Sequence, residues 1–144
     1  MMEDPPMGLI YAELELINEE DRLLHNRGYI EAEKVRSIPV TFLVDSGAYM
    51  LTITEHIRKQ LGLEKVDEQE AGLADGTVRL LDVVGPVQIR FKNRMSITTA
   101  MVIPTGEPLL GAIPMGDMDV IVHPLTEELV VNPENPYIAK KKLK

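Results

Sequence analysis

Apolar and polar residues alternate in several short stretches of this chain, which predicts a protein built mainly from strands. In residues 10–16 every second residue is apolar and the residues between are Tyr or Glu, as in a strand with one buried and one wet face. A second strand is expected at residues 29–35, joined to the first by a hairpin at residues 26–28, because Asn and Gly tolerate positive φ. Residues 39–44 are almost continuously apolar, which favours a strand buried on both faces.

The pattern changes to a helical one once and then returns to strands. Ile57 and Leu61 are spaced for one face of a short helix, which Thr52 or Thr54 can cap and Gly62 can end. Further strands are predicted at residues 77–84, 86–91, 95–103, 120–122 and 129–131. Seven or so short strands with one short helix predict an all-β, barrel-like domain.

The composition fits one globular domain of this kind. A chain of 144 residues can form one hydrophobic core but is short for two, so we expect a single domain over residues 1–144, with a core at about 8–133 and a tail at 134–144. The net charge of −8 argues against a nucleic-acid partner. The chain has no cysteine and no apolar run near the roughly 18 residues of a membrane span, so we expect a cytoplasmic protein without a membrane partner.

One short motif could carry chemistry. Asp45, Ser46, Gly47 and Ala48 directly follow the apolar stretch 39–44, so a strand delivers a carboxylate into a tight turn. Gly47 permits close backbone approach, Ser46 can hydrogen-bond laterally, and Ala48 keeps the floor of a cleft small. An aspartate in this position is more often a turn former or a helix cap, so the motif alone does not decide its role.

A second motif, Leu109, Leu110 and Gly111, lies downstream of Asp45, beyond a predicted strand. On these two motifs the chain resembles the retroviral-type, or retropepsin-like, aspartic peptidases, and in particular their small prokaryotic relatives. In that family a hydrophobic pair followed by Asp-Ser/Thr-Gly-Ala opens the site, and a hydrophobic-hydrophobic-Gly strand crosses behind it. The resemblance covers roughly residues 8–133. It implies a closed retropepsin-like β-barrel that supplies one half of a pepsin-type bilobal site.

The resemblance also implies roles for individual residues. Asp45 would be the catalytic carboxylate of an aspartic endopeptidase. Ser46 would brace the matching loop of a second subunit, and Gly47 would offer its carbonyl to an extended substrate. Leu109, Leu110 and Gly111 would support this turn from behind.

A flap, the hairpin that closes over substrate in this family, is implied at residues 73–78, with Ala74, Asp75 and Gly76 at its tip. Asp-Gly is a favourable hairpin turn on local grounds as well. The alternative is a connecting turn that does not contact substrate.

The chain contains one Asp-Ser/Thr-Gly sequence, but the chemistry needs two carboxylates, one ionised and one protonated. Two carboxylates about 3 Å apart repel by roughly 5 kcal/mol at an effective dielectric of about 20, so such a pair shares one proton, as is general for the aspartic-protease dyad. Asp117 and Asp119 lack the Ser/Thr-Gly that follows Asp45. A two-fold homodimer would place Asp45 against its own copy, and residues 129–131 could join an intersubunit sheet.

Other chemistries are less consistent with the sequence. The three histidines lack metal-ligand spacing, so no metal or other cofactor is expected, and Ser46 lacks the Gly-x-Ser-x-Gly elbow of a serine hydrolase. The main alternative is a non-catalytic dimeric module of the same fold that binds peptide or serves as a scaffold. Tyr49 and Met50 add bulk after the motif, and Pro114 is expected to shorten the helix that relatives form after Leu-Leu-Gly.

Overall fold

The chain is built mainly from strands in residues 8–143, the part that this computed structural model describes. The strands are β1 (Tyr11–Asn18), β2 (Ser37–Val44), β3 (Leu51–Thr54), β4 (Glu64–Gly72), β5 (Val78–Phe91), β6 (Arg94–Ile103), β7 (Leu109–Leu110), β8 (Val120–Val122) and β9 (Leu129–Val131). The helices are α1 (Glu19–Asn26), α2 (Glu55–Leu61) and α3 (Ala112–Met118), with a 3-10 turn at Ala32–Lys34. The all-β class is confirmed, although the described residues form three α-helices where one was predicted. Residues 1–7 and 144 of the predicted domain lie outside the described part.

Seven strands form one sheet in the order β1-β2-β7-β3-β6-β5-β4. β1 also pairs with β5, so the pairings run around a ring of six strands, and β4 extends outward from β5. The β2–β7 and β3–β6 pairs are parallel, and the other pairs of this sheet are antiparallel. β8 and β9 form a separate antiparallel pair.

The ring of strands encloses an aliphatic core. Leu14 and Leu16 of β1 are buried, while Glu13 and Glu15 between them are exposed, which confirms the predicted alternation. Phe42 of β2 is fully buried at the same core. Each such side chain stabilises the fold by about 1.5–3 kcal/mol through the apolar surface that it removes from water.

The predicted hairpin at residues 26–28 and the predicted strand at 29–35 are wrong. Helix α1 follows β1 directly, because Asn18 caps it by accepting the backbone N–H of Asp21 at 3.0 Å and acidic residues occupy its first turn. The chain then passes through the 3-10 turn to β2, which is the antiparallel neighbour of β1.

The two strands predicted at 77–84 and 86–91 are one continuous strand, β5. Pro86 lies within this strand although it cannot donate a backbone hydrogen bond. The register against β6 shifts between Val84 and Val87, and this irregularity absorbs the proline within the strand.

Helix α2 has the boundaries that its sequence predicts. The Thr54 hydroxyl accepts the backbone N–H of Ile57 at 3.3 Å, and Gly62 ends the helix in the left-handed conformation with φ of 63°. None of the helices in residues 8–143 is long and apolar enough to cross a membrane.

The C-terminal segment after β9 is held against the body of the protein. Asp119 accepts hydrogen bonds from the side-chain amides of Asn132 at 3.0 Å and Asn135 at 2.8 Å, and from the backbone N–H of Lys140 at 3.1 Å. The bond from Asn132 is the main cause that lowers the pKa of Asp119. Arg94, which is buried, donates to the carbonyl of Asn135. These contacts fix the path of the chain past residue 134.

Strand β7 lies between β2 and β3 and ends at a crowded glycine. A Cβ atom on Gly111 would lie 2.6 Å from the carbonyl carbon of Tyr49 and would also collide with the carbonyl oxygen of Met50. Because these are backbone atoms, a side chain at this position cannot be accommodated by a change of rotamer.

Gly111→Ala should therefore lower the free energy of unfolding by about 3 kcal/mol or more, because the backbone of residues 49–50 must move. Gly116→Ala is the matched control, since a Cβ there meets no atom within 4 Å and alanine raises helix propensity by up to about 1 kcal/mol. Urea denaturation of both variants measures the difference. Equal stability of the two variants would contradict the close approach.

A buried carboxylate joins α1 to the start of β2. Asp21 is 7% exposed and accepts three hydrogen bonds from Arg36, from the backbone N–H at 3.0 Å, from Nε at 2.8 Å and from Nη2 at 3.0 Å. The hydrogen bonds from the guanidinium are the main cause that lowers the pKa of Asp21. The ionised form is therefore favoured by folding.

Asp21→Asn should cost about 1–3 kcal/mol at neutral pH, because the charge-assisted bonds to Arg36 are lost. Since the pKa is lower in the folded state, the stabilisation is complete above the unfolded value of about 3.9 and is lost as the pH falls through the folded value. Urea denaturation at several pH values from neutral to acidic should show that the free energies of unfolding of the variant and the wild type converge as the pH falls. Asp82→Asn, at an exposed aspartate, is the control and should change the free energy of unfolding by less than about 1 kcal/mol. If Asp21→Asn lowers the free energy of unfolding equally at every pH, the link between the Asp21 charge and stability is refuted.

Candidate active site

Asp45 lies directly after β2, at a position fixed by hydrogen bonds on the flanking strand. Its backbone N–H donates to the carbonyl of Leu110 at 3.0 Å. This bond continues the parallel register in which Leu43 lies beside Leu109 and Val44 beside Leu110. The second motif therefore holds the strand that ends in the carboxylate.

The residues after Asp45 form a tight turn that orients its side chain. The backbone N–H of Gly47 donates to Oδ1 of Asp45 at 2.9 Å, and the N–H of Ala48 donates to the carbonyl of Asp45 at 3.1 Å. A Cβ atom on Gly47 would lie 3.2 Å from the same Oδ1, so glycine leaves room for this contact. Asp45 is half-buried, and Ser46 and Gly47 are exposed. The carboxylate thus accepts a hydrogen bond within its own turn and remains partly accessible at the surface of the molecule.

The chain after β7 passes behind this turn and begins α3. The N–H of Ala112 donates to the carbonyl of Ala48 at 2.8 Å, and the N–H of Ile113 donates to the carbonyl of Tyr49 at 3.0 Å. Helix α3 contains Pro114 in its first turn and is seven residues long. The structure therefore brings the two sequence motifs into direct contact.

A hairpin formed by β4 and β5 has its turn at residues 73–77. The N–H of Leu73 donates to the carbonyl of Thr77 at 2.8 Å, and the N–H of Gly76 donates to the carbonyl of Leu73 at 2.9 Å, with φ of 85° at Gly76. Asp75 accepts from the Thr77 hydroxyl at 2.6 Å and from its N–H at 2.9 Å, and the hydroxyl bond is the main cause that lowers the pKa of Asp75. Ala74, Asp75 and Gly76 form the exposed tip, as expected for the predicted flap segment.

A cleft of about 850 Å³ lies between the Asp45 turn and this hairpin. Gly47 and Ala48 line it on one side, and Leu73, Ala74 and Asp75 line it on the other. Its apolar lining also includes Met50, Leu81, Met101 and Ile103. The predicted flap is thus a wall of the same cleft as the carboxylate-bearing turn.

One charged residue of the cleft, together with its hydrogen-bond partner outside the lining, was not predicted from the sequence. Glu107 lines the cleft, and the hydroxyl of Tyr11 donates to its carboxylate oxygens at 3.0 and 3.1 Å. This hydrogen bond is the main cause that raises the pKa of Tyr11. The two residues are far apart along the chain and belong to no motif, so only the folded structure shows the pair.

Apolar side chains are exposed next to the Asp45 turn. Tyr49 is 76% exposed and Ile113 is 50% exposed, and the backbones of these two residues are hydrogen-bonded to each other. Leu9 is 70% exposed and precedes Ile10, whose carbonyl accepts the N–H of Val44 at 2.8 Å. The carboxylate is therefore bordered by apolar surface that the single chain leaves in contact with water.

Comparison with known proteins agrees with this geometry. A family model described as aspartyl protease matches residues 33–121, a range that includes Asp45 and the segment 109–111. Among solved structures, the EIAV protease complexed with the inhibitor HBY-793 matches with a TM-score of 0.53 and 16% sequence identity, over 81% of this chain and 93% of that chain. At this identity the likeness shows a shared fold. No curated protein matches the sequence.

The two results agree on one fold and one family. The structural match to a retroviral protease confirms the retropepsin-like fold, and the family match extends over more than half of the chain, from the 3-10 turn before β2 to β8. The chain therefore belongs to the aspartyl protease family, and its fold is that of a retropepsin-like aspartic peptidase.

Proposed function

We propose that this protein is a homodimeric aspartic endopeptidase that hydrolyses peptide bonds with a water molecule activated by two Asp45 carboxylates, one from each subunit. The observation that supports this most directly is the position of Asp45. It is half-buried at the end of β2, oriented by the N–H of Gly47, and next to a cleft of about 850 Å³.

The proposed chemistry follows from sharing one proton between two carboxylates. The ionised carboxylate takes a proton from water as the water oxygen attacks the carbonyl carbon of the substrate, and the protonated carboxyl donates its proton to the carbonyl oxygen. The tetrahedral intermediate then collapses: the carboxyl that took the water proton donates it to the leaving nitrogen, and the carbon–nitrogen bond breaks. One hydroxyl of the intermediate gives its proton to the other carboxylate, so the pair again shares one proton. No cofactor takes part in this mechanism.

A second subunit is the proposed source of the second carboxylate. Asp117 accepts the Ser96 hydroxyl at 2.5 Å and pairs with Lys141 at 3.2 Å, while Asp119 binds Asn132 and neighbouring residues. Both aspartates thus serve contacts that hold β6 and the C-terminal segment. A two-fold axis beside Asp45 would place the same residue of a second copy opposite it.

The apolar surface around the turn supports this assembly. Tyr49, Ile113 and Leu9 are exposed beside Asp45, and apolar surface of this kind is typical of an interface. Ser46 is exposed and could hydrogen-bond to the matching loop of the partner. β9 pairs with β8 within the chain, so an intersubunit sheet at residues 129–131 would have to form on the edge of β9 that faces away from β8.

The proposed substrate is an extended polypeptide lying between the turn and the hairpin. Gly47 would offer its carbonyl to the peptide backbone from one side, and residues 74–76 would close over it from the other. A cytoplasmic location, expected from the cysteine-free sequence, belongs to this proposal.

Asp45→Asn should reduce cleavage of an unstructured protein by at least about 10²–10⁴-fold, because the dimer loses its general base and its general acid. The substitution preserves an acceptor for the N–H of Gly47, so the turn should persist. Digests at mildly acidic and neutral pH, with and without a pepstatin-like inhibitor, measure the loss. Asp82→Asn, an exposed aspartate on β5, is the control and should cleave at the wild-type rate.

Cleavage that survives Asp45→Asn would refute the assignment of peptidase activity to this site. If the wild type cleaves nothing but binds peptides in the cleft, the protein is the non-catalytic dimeric module of the same fold.

Ile113→Glu should weaken the dimer by about tenfold or more, because it places a charge in an apolar interface. Sedimentation over a range of protein concentrations measures the dimer. Because Ile113 also lines the cleft, the fraction of dimer is the readout for this variant, and the cleavage rate is not. Ile97→Glu is the matched control, since Ile97 is 45% exposed on β6 and Ile113 is 50% exposed. A wild-type protein that cleaves as a strict monomer would exclude the shared site.

A further inference from the structure

The charged side chains that line the cleft all have the same sign. They are Glu70 on β4, Asp75 at the hairpin tip and Glu107 in the loop before β7, and no Lys, Arg or His lines the cleft in the described part of the chain. Two segments contribute these carboxylates, the β4–β5 hairpin and the loop before β7, so the negative charge is not confined to one of them.

Beneath this acidic rim the cleft is apolar. Met50, Leu81, Met101 and Ile103 line it, and Leu81 and Met101 are 7% and 8% exposed. A side chain with a long aliphatic stem and a positive end fits both parts of such a cleft, since the stem contacts the apolar lining and the charged end reaches the carboxylates. An acidic substrate side chain would meet like charges at the rim.

Glu107 is the carboxylate best placed to recognise that charge. The Tyr11 hydroxyl donates to both of its oxygens, at 3.0 and 3.1 Å, which fixes its position with a neutral partner and leaves its charge uncompensated. The carbonyl of the next residue, Pro108, accepts the N–H of Leu43 at 2.9 Å, two residues before Asp45. For Asp75, the hydrogen bonds from Thr77 and, to a smaller extent, the positive charge of Arg79 lower the pKa, so a nearby cation already offsets part of its charge.

We propose that the cleft selects polypeptides with a lysine or arginine side chain near the bond to be cut, and that Glu107 is a residue that determines this specificity. This inference rests on the proposed function, because it takes the cleft to be the substrate site.

The test measures binding rather than cleavage. Two fluorescently labelled short peptides, neutral except that the central residue is Lys in one and the uncharged norleucine in the other, are titrated into the Asp45→Asn protein. The Lys peptide should bind about three- to tenfold more tightly at low ionic strength, and the advantage should shrink as salt screens the charges.

Glu107→Gln, added to Asp45→Asn, should remove most of the preference for the Lys peptide, because the amide keeps the shape of the side chain and loses its charge. Glu33→Gln is the matched control, an exposed glutamate in the 3-10 turn that precedes β2, and it should retain the preference.

Four results would each overturn the proposal. The two peptides could bind with equal affinity, the norleucine peptide could bind more tightly, or neither peptide could bind. The preference for the Lys peptide could also persist in the Glu107→Gln protein. The outcome is separable from that of the proposed catalysis. If the protein prefers the Lys peptide but cleaves nothing, the proposed specificity is supported and the proposed peptidase activity is refuted. If the protein cleaves but binds both peptides equally, the peptidase activity is supported and the specificity is refuted.

Discussion

The close backbone approach between Gly111 and residues 49–50 is the contact on which the candidate site depends. It allows β7 to lie between β2 and β3, where the carbonyl of Leu110 accepts the N–H of Asp45. The same approach aligns the start of α3 with the loop after the Asp45 turn. The position of the carboxylate is therefore set by main-chain packing, which admits no side chain at Gly111.

For the proposed reaction, the site of a single chain is incomplete. One carboxylate cannot act as both general acid and general base, and the apolar side chains of Tyr49 and Ile113 are exposed beside it. The proposed dimer would remove both deficiencies with one interface, so assembly and activity would be linked. The cleft would then be formed by two copies of the same acidic rim, which strengthens any preference for a positively charged substrate.

Much of the fold could be predicted where local sequence and tertiary environment agree. The alternation in β1 reports a strand with one buried face, and Thr54 and Gly62 mark the ends of α2 because capping is a local interaction. The Asp45 turn and Leu-Leu-Gly were also recognisable, because each requires particular residue types at fixed spacing. Their mutual contact followed only from resemblance to a family.

Other parts of the structure were decided by tertiary contacts. β4 is mostly polar and exposed, and it forms a strand because β5 pairs along its length, while its charges protect an open sheet edge. The sequence by itself determined the all-β class, the Asp45 turn and the Leu-Leu-Gly motif behind it, since short-range sterics and hydrogen bonding encode these. Only the tertiary structure decided the ring of strands, the cleft and the Tyr11–Glu107 pair, because they join segments that have no local relation in the sequence.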